Sequence, residues 1–478
     1  MVEEINRDDR WHQGSLVELI ILDLDDQGNG VGRFNQQVVF VPDTVPGDRI
    51  LARLLQVKAH YARGKLQELL EPSPHRTRPA CIVADKCGGC QWQHITYEYQ
   101  LVAKHNQVTQ ALSRLGEFAN PPVLPVLGAA SAIDYRNKST YPIGLSKSAQ
   151  APKARSRSQA FSQESHPSQV IAGYYQKGSH RLINLNQCPI QDHRLNPLLA
   201  DIKQDIQQQG WPIYDEQTHR GQVRHLSLRI GRRTGEQLLT LVVKDQQLPG
   251  IEEQSQIWLS RYPGLAGVLL NYNPDRTNAI FGSKTECILG QPYLLEEFAD
   301  LKFQIQAETF FQVNTEQAER LLTEIITHLD LQGDEVLLDA YCGIGTFTLP
   351  LAQRVQRAVG LEIHAPSVDQ ARLNATLNGI TNVSFQVGAV ADQLPTLAEQ
   401  PDIVLLDPPR KGCDRAVLEL LGQLQAPRIV YVSCKPATLA RDLKILCQES
   451  GYHLTKVQPI DFFPQTAHIE SVAYLVRA

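Results

Sequence analysis

Two groups among the nine cysteines have the spacing of reactive sites. Cys81-x5-Cys87-Gly-Gly-Cys90 draws three thiols together, and Cys188, just before Pro189, is a fourth that the fold must bring in from a distance. Four thiolates hold either Zn²⁺ or an iron–sulfur cluster. Zinc ribbons use two Cys-x2-Cys pairs, and this chain has one. A redox Cys-x-x-Cys is disfavoured by the additional Cys81 and by the absence of a flanking βαβ pattern. The second group is Ser433-Cys434-Lys435-Pro436, where an apolar run beginning at Arg428 ends on a thiol. One crossover earlier, the run from Asp402 ends on Asp407, and Pro408 and Pro409 fix the loop that frees its carboxylate. Cys287, Cys342, Cys413 and Cys447 read as unliganded and structural.

A doubly wound α/β sheet has to position these groups. From about residue 306 onward, strands and helices alternate as such a sheet requires. Val336–Phe347 is an apolar strand carrying Asp339, then the turn Gly343-x-Gly345, then a helix start. The glycines allow close approach to a ligand at the carboxyl end of the strand, although Thr348 stands where a dinucleotide fingerprint has its third glycine. The next strand ends on Glu362, 23 residues after Asp339, where a carboxylate accepts hydrogen bonds from ribose hydroxyls. That pairing suits S-adenosylmethionine as well as NAD. A hydride-transfer enzyme has no use for a thiol and an acid on the same sheet edge, which favours the methyl donor.

The 478 residues include 46 Lys+Arg and 51 Asp+Glu, a net charge of −5, with 42% hydrophobic residues. Such a composition describes a soluble globular chain of about three domains. No apolar run reaches the roughly 18 residues of a membrane span, and the polar start is no secretory signal, so a cytoplasmic protein is expected. An odd cysteine count in a reducing compartment favours metal binding or catalysis over disulfides. The acidic total alone argues against a nucleic-acid partner; its distribution argues for one. Basic residues concentrate in 49–78, 146–181 and 219–235, and the last stretch has Arg220, Arg224, Arg229, Arg232 and Arg233. Short strands between Leu16 and Val57, separated by the turn Gly28–Arg33 and by Pro46-Gly47, predict a small OB-like barrel over 10–72. A central α+β domain follows over 73–305, with a flexible insertion at 146–169, and the α/β domain fills 306–478.

Asp407-Pro-Pro-Arg410, Ser433-Cys434-x-Pro436 and Gln465-Thr-Ala-His468-Ile-Glu470 resemble the signatures of the RNA 5-methyluridine methyltransferases. Phe310-Phe-Gln312-Val-Asn314 resembles the start of that family's methyltransferase domain. The resemblance spans essentially the whole chain. It implies a Rossmann-like, S-adenosylmethionine-dependent methyltransferase domain and, in the barrel, a TRAM domain. The cysteine spacing resembles the ribosomal-RNA branch of the family, which carries a [4Fe–4S] cluster; this implies that Cys81, Cys87, Cys90 and Cys188 hold one here. The tRNA-modifying branch is expected to lack both the cluster and the TRAM domain. The implied partner is RNA, with a uridine of 23S rRNA flipped out of a loop, and the implied enzyme is a monomer. Gln312, Tyr341, Gly343, Gly345, Thr346, Glu362 and Asp407 are implied to contact the cofactor or the target base.

Uracil C5 is too weak a nucleophile to take a methyl group directly, so a thiolate must first add to C6. Cys434 is the expected nucleophile. Glu470 is the expected base for the C5 proton, with His468 as the alternative. The family often has Asn at the position of Thr346 and of Lys435; Lys435 would contact phosphate or depress the thiol pKa. Three other functions compete with this one: a tRNA uracil-5-methyltransferase, a base N-methyltransferase and a non-catalytic RNA-binding assembly factor. N-methyltransferases place an aromatic residue after Pro-Pro, where this chain has Arg410, and they need no cysteine. Radical chemistry is disfavoured, because Cys81-x5-Cys87 is too long for Cys-x3-Cys-x2-Cys.

Overall fold

The computed structural model describes residues 11–146, 168–245 and 248–477. The insertion expected at 146–169 lies almost entirely outside them, as do Lys147, Lys153, Arg155 and Arg157. At the N-terminal end, strands Leu16–Leu24, Gly30–Phe34, Gln37–Val41, Arg49–Val57 and Tyr61–Glu71 close into a barrel. Alternation drives the closure: Val17, Leu19 and Ile21 point inward against Val39, Val41, Ile50 and Leu54. The Gly28–Arg33 segment was expected to be all turn, yet Gly30 already begins a strand. A Cβ on Gly30 would lie 2.0 Å from the Thr44 hydroxyl, so glycine is there for close packing and not for a turn.

The central region is a six-stranded sheet covered by helices Asn196–Gln209 and Ile251–Arg261. Leu198, Leu199, Ile202 and Ile206 recur at helical spacing and pack with Trp258 against the sheet. Helix Tyr97–Arg114 lies within the 73–305 span expected to form the central domain, but it does not pack in this layer. Its Val108 and Leu112 are buried with Leu439 and Leu443 of helix Pro436–Glu449, which covers the C-terminal sheet. The segment after it runs beside strand Tyr452–Ile460, with Leu124 N–H donating to the Val457 carbonyl at 2.9 Å. The buried face is only half apolar, with Gln100 and Lys104 preceding Val108 and Leu112, and nothing in the sequence names the partner it chooses.

The C-terminal sheet has seven strands. From edge to edge they are Val383–Val387, Arg357–Glu362, Val336–Ala340, Ile403–Leu406, Arg428–Ser433, Glu470–Arg477 and Tyr452–Ile460. The first five are parallel, and Glu470–Arg477 runs antiparallel to both its neighbours. Helices Thr315–Leu329 and Ala365–Leu377 cover one face. Helices Arg415–Leu424 and Pro436–Glu449 cover the other. Strand order reverses between Val336–Ala340 and Ile403–Leu406, and crevices at such a switch point bind ligands.

Candidate active site

The Gly-x-Gly turn leaves strand Val336–Ala340 through three positive φ values: Tyr341 at 87°, Gly343 at 55° and Gly345 at 83°. A side chain is costly in that region, and Tyr341 is held there by its N–H bond to the Leu361 carbonyl at 2.9 Å. A Cβ on Gly343 would meet open space, so nothing blocks a ligand's approach to its backbone. Glu362 closes the other side. Its carboxylate accepts from Gly343 N–H at 3.2 Å and from His364 N–H at 2.8 Å. The two features read together in the sequence therefore touch.

A row of acids follows across the strand ends. Asp339 is buried, takes a 2.5 Å bond from the Thr348 hydroxyl and is pushed up to about 7, chiefly by burial. Thr348, which stands where a glycine fingerprint would continue, is thus the partner of this acid. Asp407 is likewise pushed up to about 7 by burial and then by the Asp339 charge. It accepts from Gln312 Nε2 at 3.3 Å, while the Gln312 carbonyl accepts from Asn137 at 2.9 Å. Glu470 begins its strand fully enclosed, and burial followed by the Asp407 charge raises it well above the usual carboxylate range. Thr346 is buried in the same turn.

Cys434 follows strand Arg428–Ser433 and precedes helix Pro436–Glu449. Antiparallel pairing of Ser433 with Ser471 brings the thiol level with Glu470. Burial pushes Cys434 up to about 12, Glu470 and Asp407 add to the rise, and Arg410 opposes it. Arg410 Nη2 lies 3.3 Å from His468 Nδ1. Burial, then Arg410, lowers the His468 pKa, which favours the neutral ring. Neither Arg410 nor Thr348 was picked out as a functional residue from the sequence.

The three cysteines of the N-terminal motif converge with the distant Cys188 on one cavity. Cys87, Cys90 and Cys188 are buried, Cys81 is half-buried, and all four line a cavity of about 320 Å³. Cys434, Arg410 and His468 line the same cavity. Backbone bonds fix the ring: Cys81 N–H to Gln93 Oε1 at 3.0 Å, and Cys188 N–H to Asn196 Oδ1 at 3.1 Å. No three of these sulfurs come within 4.8 Å of one another; among the described residues, Asp134, Asp192 and His193 do. Asp192 is already committed to Arg194 and Arg232.

The basic runs divide. Arg224 and Arg229 are buried, Arg232 pairs with Asp192 and Glu316, and Arg233 pairs with Glu316 and Glu319. The expectation of a phosphate-facing patch at 219–235 is therefore wrong for these four. Arg53, Lys58, Arg63 and Lys65 remain exposed on the barrel.

Comparison with known proteins agrees with this geometry. Residues 280–478 match the tRNA (Uracil-5-)-methyltransferase family, and residues 10–66 match the TRAM domain. The chain is 64% identical to an uncharacterized RNA methyltransferase of Nostoc sp., covering 98% of this chain and 97% of the relative. It is 38% identical to one from Halalkalibacterium halodurans, covering 97% of each. Among solved structures, Pyrococcus abyssi tRNA (uracil-54, C5)-methyltransferase in complex with S-adenosyl-L-homocysteine superposes with a TM-score of 0.73 at 25% identity. That match covers 96% of this chain and 99% of the Pyrococcus chain. A tRNA enzyme thus shares nearly the full length, so the N-terminal barrel does not separate rRNA from tRNA enzymes as the sequence reading had supposed. Among the described residues no helix is long and apolar enough to cross a membrane. The chain belongs to the S-adenosylmethionine-dependent RNA uracil-5-methyltransferase family.

Proposed function

We propose that this enzyme methylates C5 of a flipped uridine in 23S rRNA, with Cys434 as nucleophile and Glu470 as base. The observation that carries this reading is the pairing of the strand ends, which sets Cys434 beside Glu470 with Asp407 adjacent. Deprotonated Cys434 Sγ bonds to uracil C6, and the C5=C6 π pair moves onto C5. S-adenosylmethionine supplies an electrophilic methyl on a positively charged sulfur, and that charge favours ionised carboxylates beside it. C5 takes the methyl as the sulfur–methyl bond breaks, releasing the thioether. Glu470 then removes the C5 proton, the double bond re-forms and Cys434 leaves. His468 is less suited to this step, because Arg410 already occupies its Nδ1.

Gly343, Gly345, Thr346, Tyr341 and Glu362 form the cofactor side of the site, with Glu362 on the ribose. Gln312 holds Asp407 toward the base. Cys81, Cys87, Cys90 and Cys188 hold a [4Fe–4S] cluster in this reading. A single Zn²⁺ in four thiolates needs sulfurs about 3.8 Å apart. No three of the sulfurs lie within 4.8 Å of one another, which favours a cluster over the single ion in this reading. Purified protein should be brown with broad visible absorption; a colourless, zinc-loaded protein would contradict the cluster.

A specific observation favours a second substrate. The full-length similarity to the Pyrococcus enzyme supports tRNA as strongly as the cysteine spacing supports rRNA. Labelled S-adenosylmethionine offered with unmodified 23S rRNA and tRNA transcripts, followed by mapping of 5-methyluridine, decides between them. Label in 23S rRNA alone supports the first reading, and label in tRNA alone overturns it.

A further inference from the structure

The loop that leads into the proposed base is held largely by residues from outside the 306–478 segment. Glu470 begins a strand immediately after the loop 461–469, which also carries His468. The flanking strands pair up to Ile460 and Glu470, so the loop projects from a closed hairpin end and its path is not set by the sheet. Helix Tyr97–Arg114 supplies what the sheet does not. Lys104 Nζ donates to Asp461 Oδ1 at 2.6 Å and to the Phe463 carbonyl at 3.0 Å. One turn earlier, Gln100 engages Gln465 twice, donating to its Oε1 at 3.1 Å and accepting from its N–H at 2.9 Å. Both side chains of the Lys104–Asp461 pair are fully buried.

The cysteine segment grips the same loop. Trp92, two residues after Cys90, donates its N–H to the Gln465 carbonyl at 3.0 Å. Tyr135, packed with Cys90 and Cys188, donates its hydroxyl to the Pro464 carbonyl at 3.0 Å. Ala467, next to His468, is buried with Trp92, Ile95 and the barrel residue Val45. Gln465 sits at φ 70°, a backbone state that persists only where the surroundings impose it. Four bonds from Gln100, Trp92 and Tyr135 converge on this residue and its neighbour.

We propose that Lys104 and Gln100 are positioning residues that lock the 461–469 loop, and through it set Glu470 and His468 against the target base. This rests on the assignment of Glu470 as base. A buried ion pair whose only role is cohesion can be replaced by apolar side chains of similar volume without loss. A pair that positions a catalytic group cannot, because small displacements at a reacting centre cost up to about 100-fold in rate.

The test uses full-length, cluster-loaded enzyme and whichever unmodified transcript accepts label. Lys104→Met leaves Asp461 without its partner and is compared with the double variant Lys104→Met/Asp461→Leu, which restores a neutral interior, and with Glu470→Gln. The double variant should melt like the wild type yet turn over about 10- to 100-fold more slowly at little-changed RNA KM. Denaturing gels should show it accumulating a covalent enzyme–RNA species on ordinary uridine, as Glu470→Gln does, because proton removal has become slow. Recovery of both melting temperature and turnover in the double variant would overturn the proposal, since the pair would then be merely cohesive. If Glu470→Gln accumulates no adduct, the base assignment falls separately. The loop lock is then judged by the turnover number of the double variant alone.

Discussion

Two kinds of thiol face one cavity, and their titration does not tell them apart. Burial pushes Cys90 and Cys434 alike to about 12. Their neighbours differ. Around Cys90 the charges that act are other thiols, Cys188, Cys87 and Cys81, with a bond from Gln93. Around Cys434 they are Glu470, Asp407 and Arg410. A ring of thiols with backbone-fixed positions can share one electrophilic centre. A lone thiol flanked by an acid and a guanidinium can add to a carbon and have its adduct resolved. Burial is common to both sulfurs, and function follows from which groups stand around each.

Substitutions should separate the two kinds, and the largest effect belongs to the lone thiol. Cys434→Ser should abolish methylation, a loss on the order of 10⁴-fold or more, with colour and melting temperature unchanged. Loss of colour in that variant would blur the distinction. Cys90→Ser should do the converse: it bleaches the protein and lowers its melting temperature, and activity falls because Trp92 and Tyr135 no longer hold the 461–469 loop. Full activity in a bleached, folded Cys90→Ser protein would show that the ring is dispensable to the site. Glu470→Gln should slow turnover roughly 10²- to 10⁴-fold, the usual range for a general base, and leave adduct formation intact.

The smallest effect concerns pH. Asp339 and Asp407 are raised in the fold from 3.8 to about 7. The folded protein therefore binds more protons than the unfolded chain across that window, and stability is lost as pH rises through it. Melting curves of cofactor-free enzyme between pH 5 and 7.5 should show a falling midpoint. Asp407→Asn should flatten the slope and raise the midpoint at pH 7.5 by a few degrees. An unchanged slope would mean that these acids are ionised in the free enzyme.

Part of this site was legible in the chain, because Asp407, Cys434 and Glu362 stand at the ends of apolar strands, whereas Glu470 begins one. Asp407, Cys434 and Glu362 follow runs such as Ile403–Leu406, and parallel strands of one sheet deliver their carboxyl ends to one edge. Cys81, Cys87 and Cys90 were legible as a group from their spacing, whereas Cys188 was only a candidate fourth that the fold had to bring in. What was not legible depends on partners far away in sequence. Nothing near Lys104 announces that it meets Asp461, or that helix Tyr97–Arg114 leaves the central layer for the C-terminal sheet. Arg232 and Arg233 read as a basic run because Glu316 and Glu319 lie some 85 residues on. Thr348 looked like a missing glycine, and its hydroxyl bond to Asp339 appears only once the turn is built.

The central claim is covalent addition through Cys434, and 5-fluorouridine tests it directly. Fluorine at C5 cannot be removed as a proton, so RNA carrying it, mixed with enzyme and S-adenosylmethionine, should stop after methyl transfer. Mass spectrometry of the digested complex should find the methylated fluorouridine nucleotide attached to the peptide containing Cys434. A stable adduct formed equally well by Cys434→Ala, or methylation of ordinary RNA by that variant, would contradict the account.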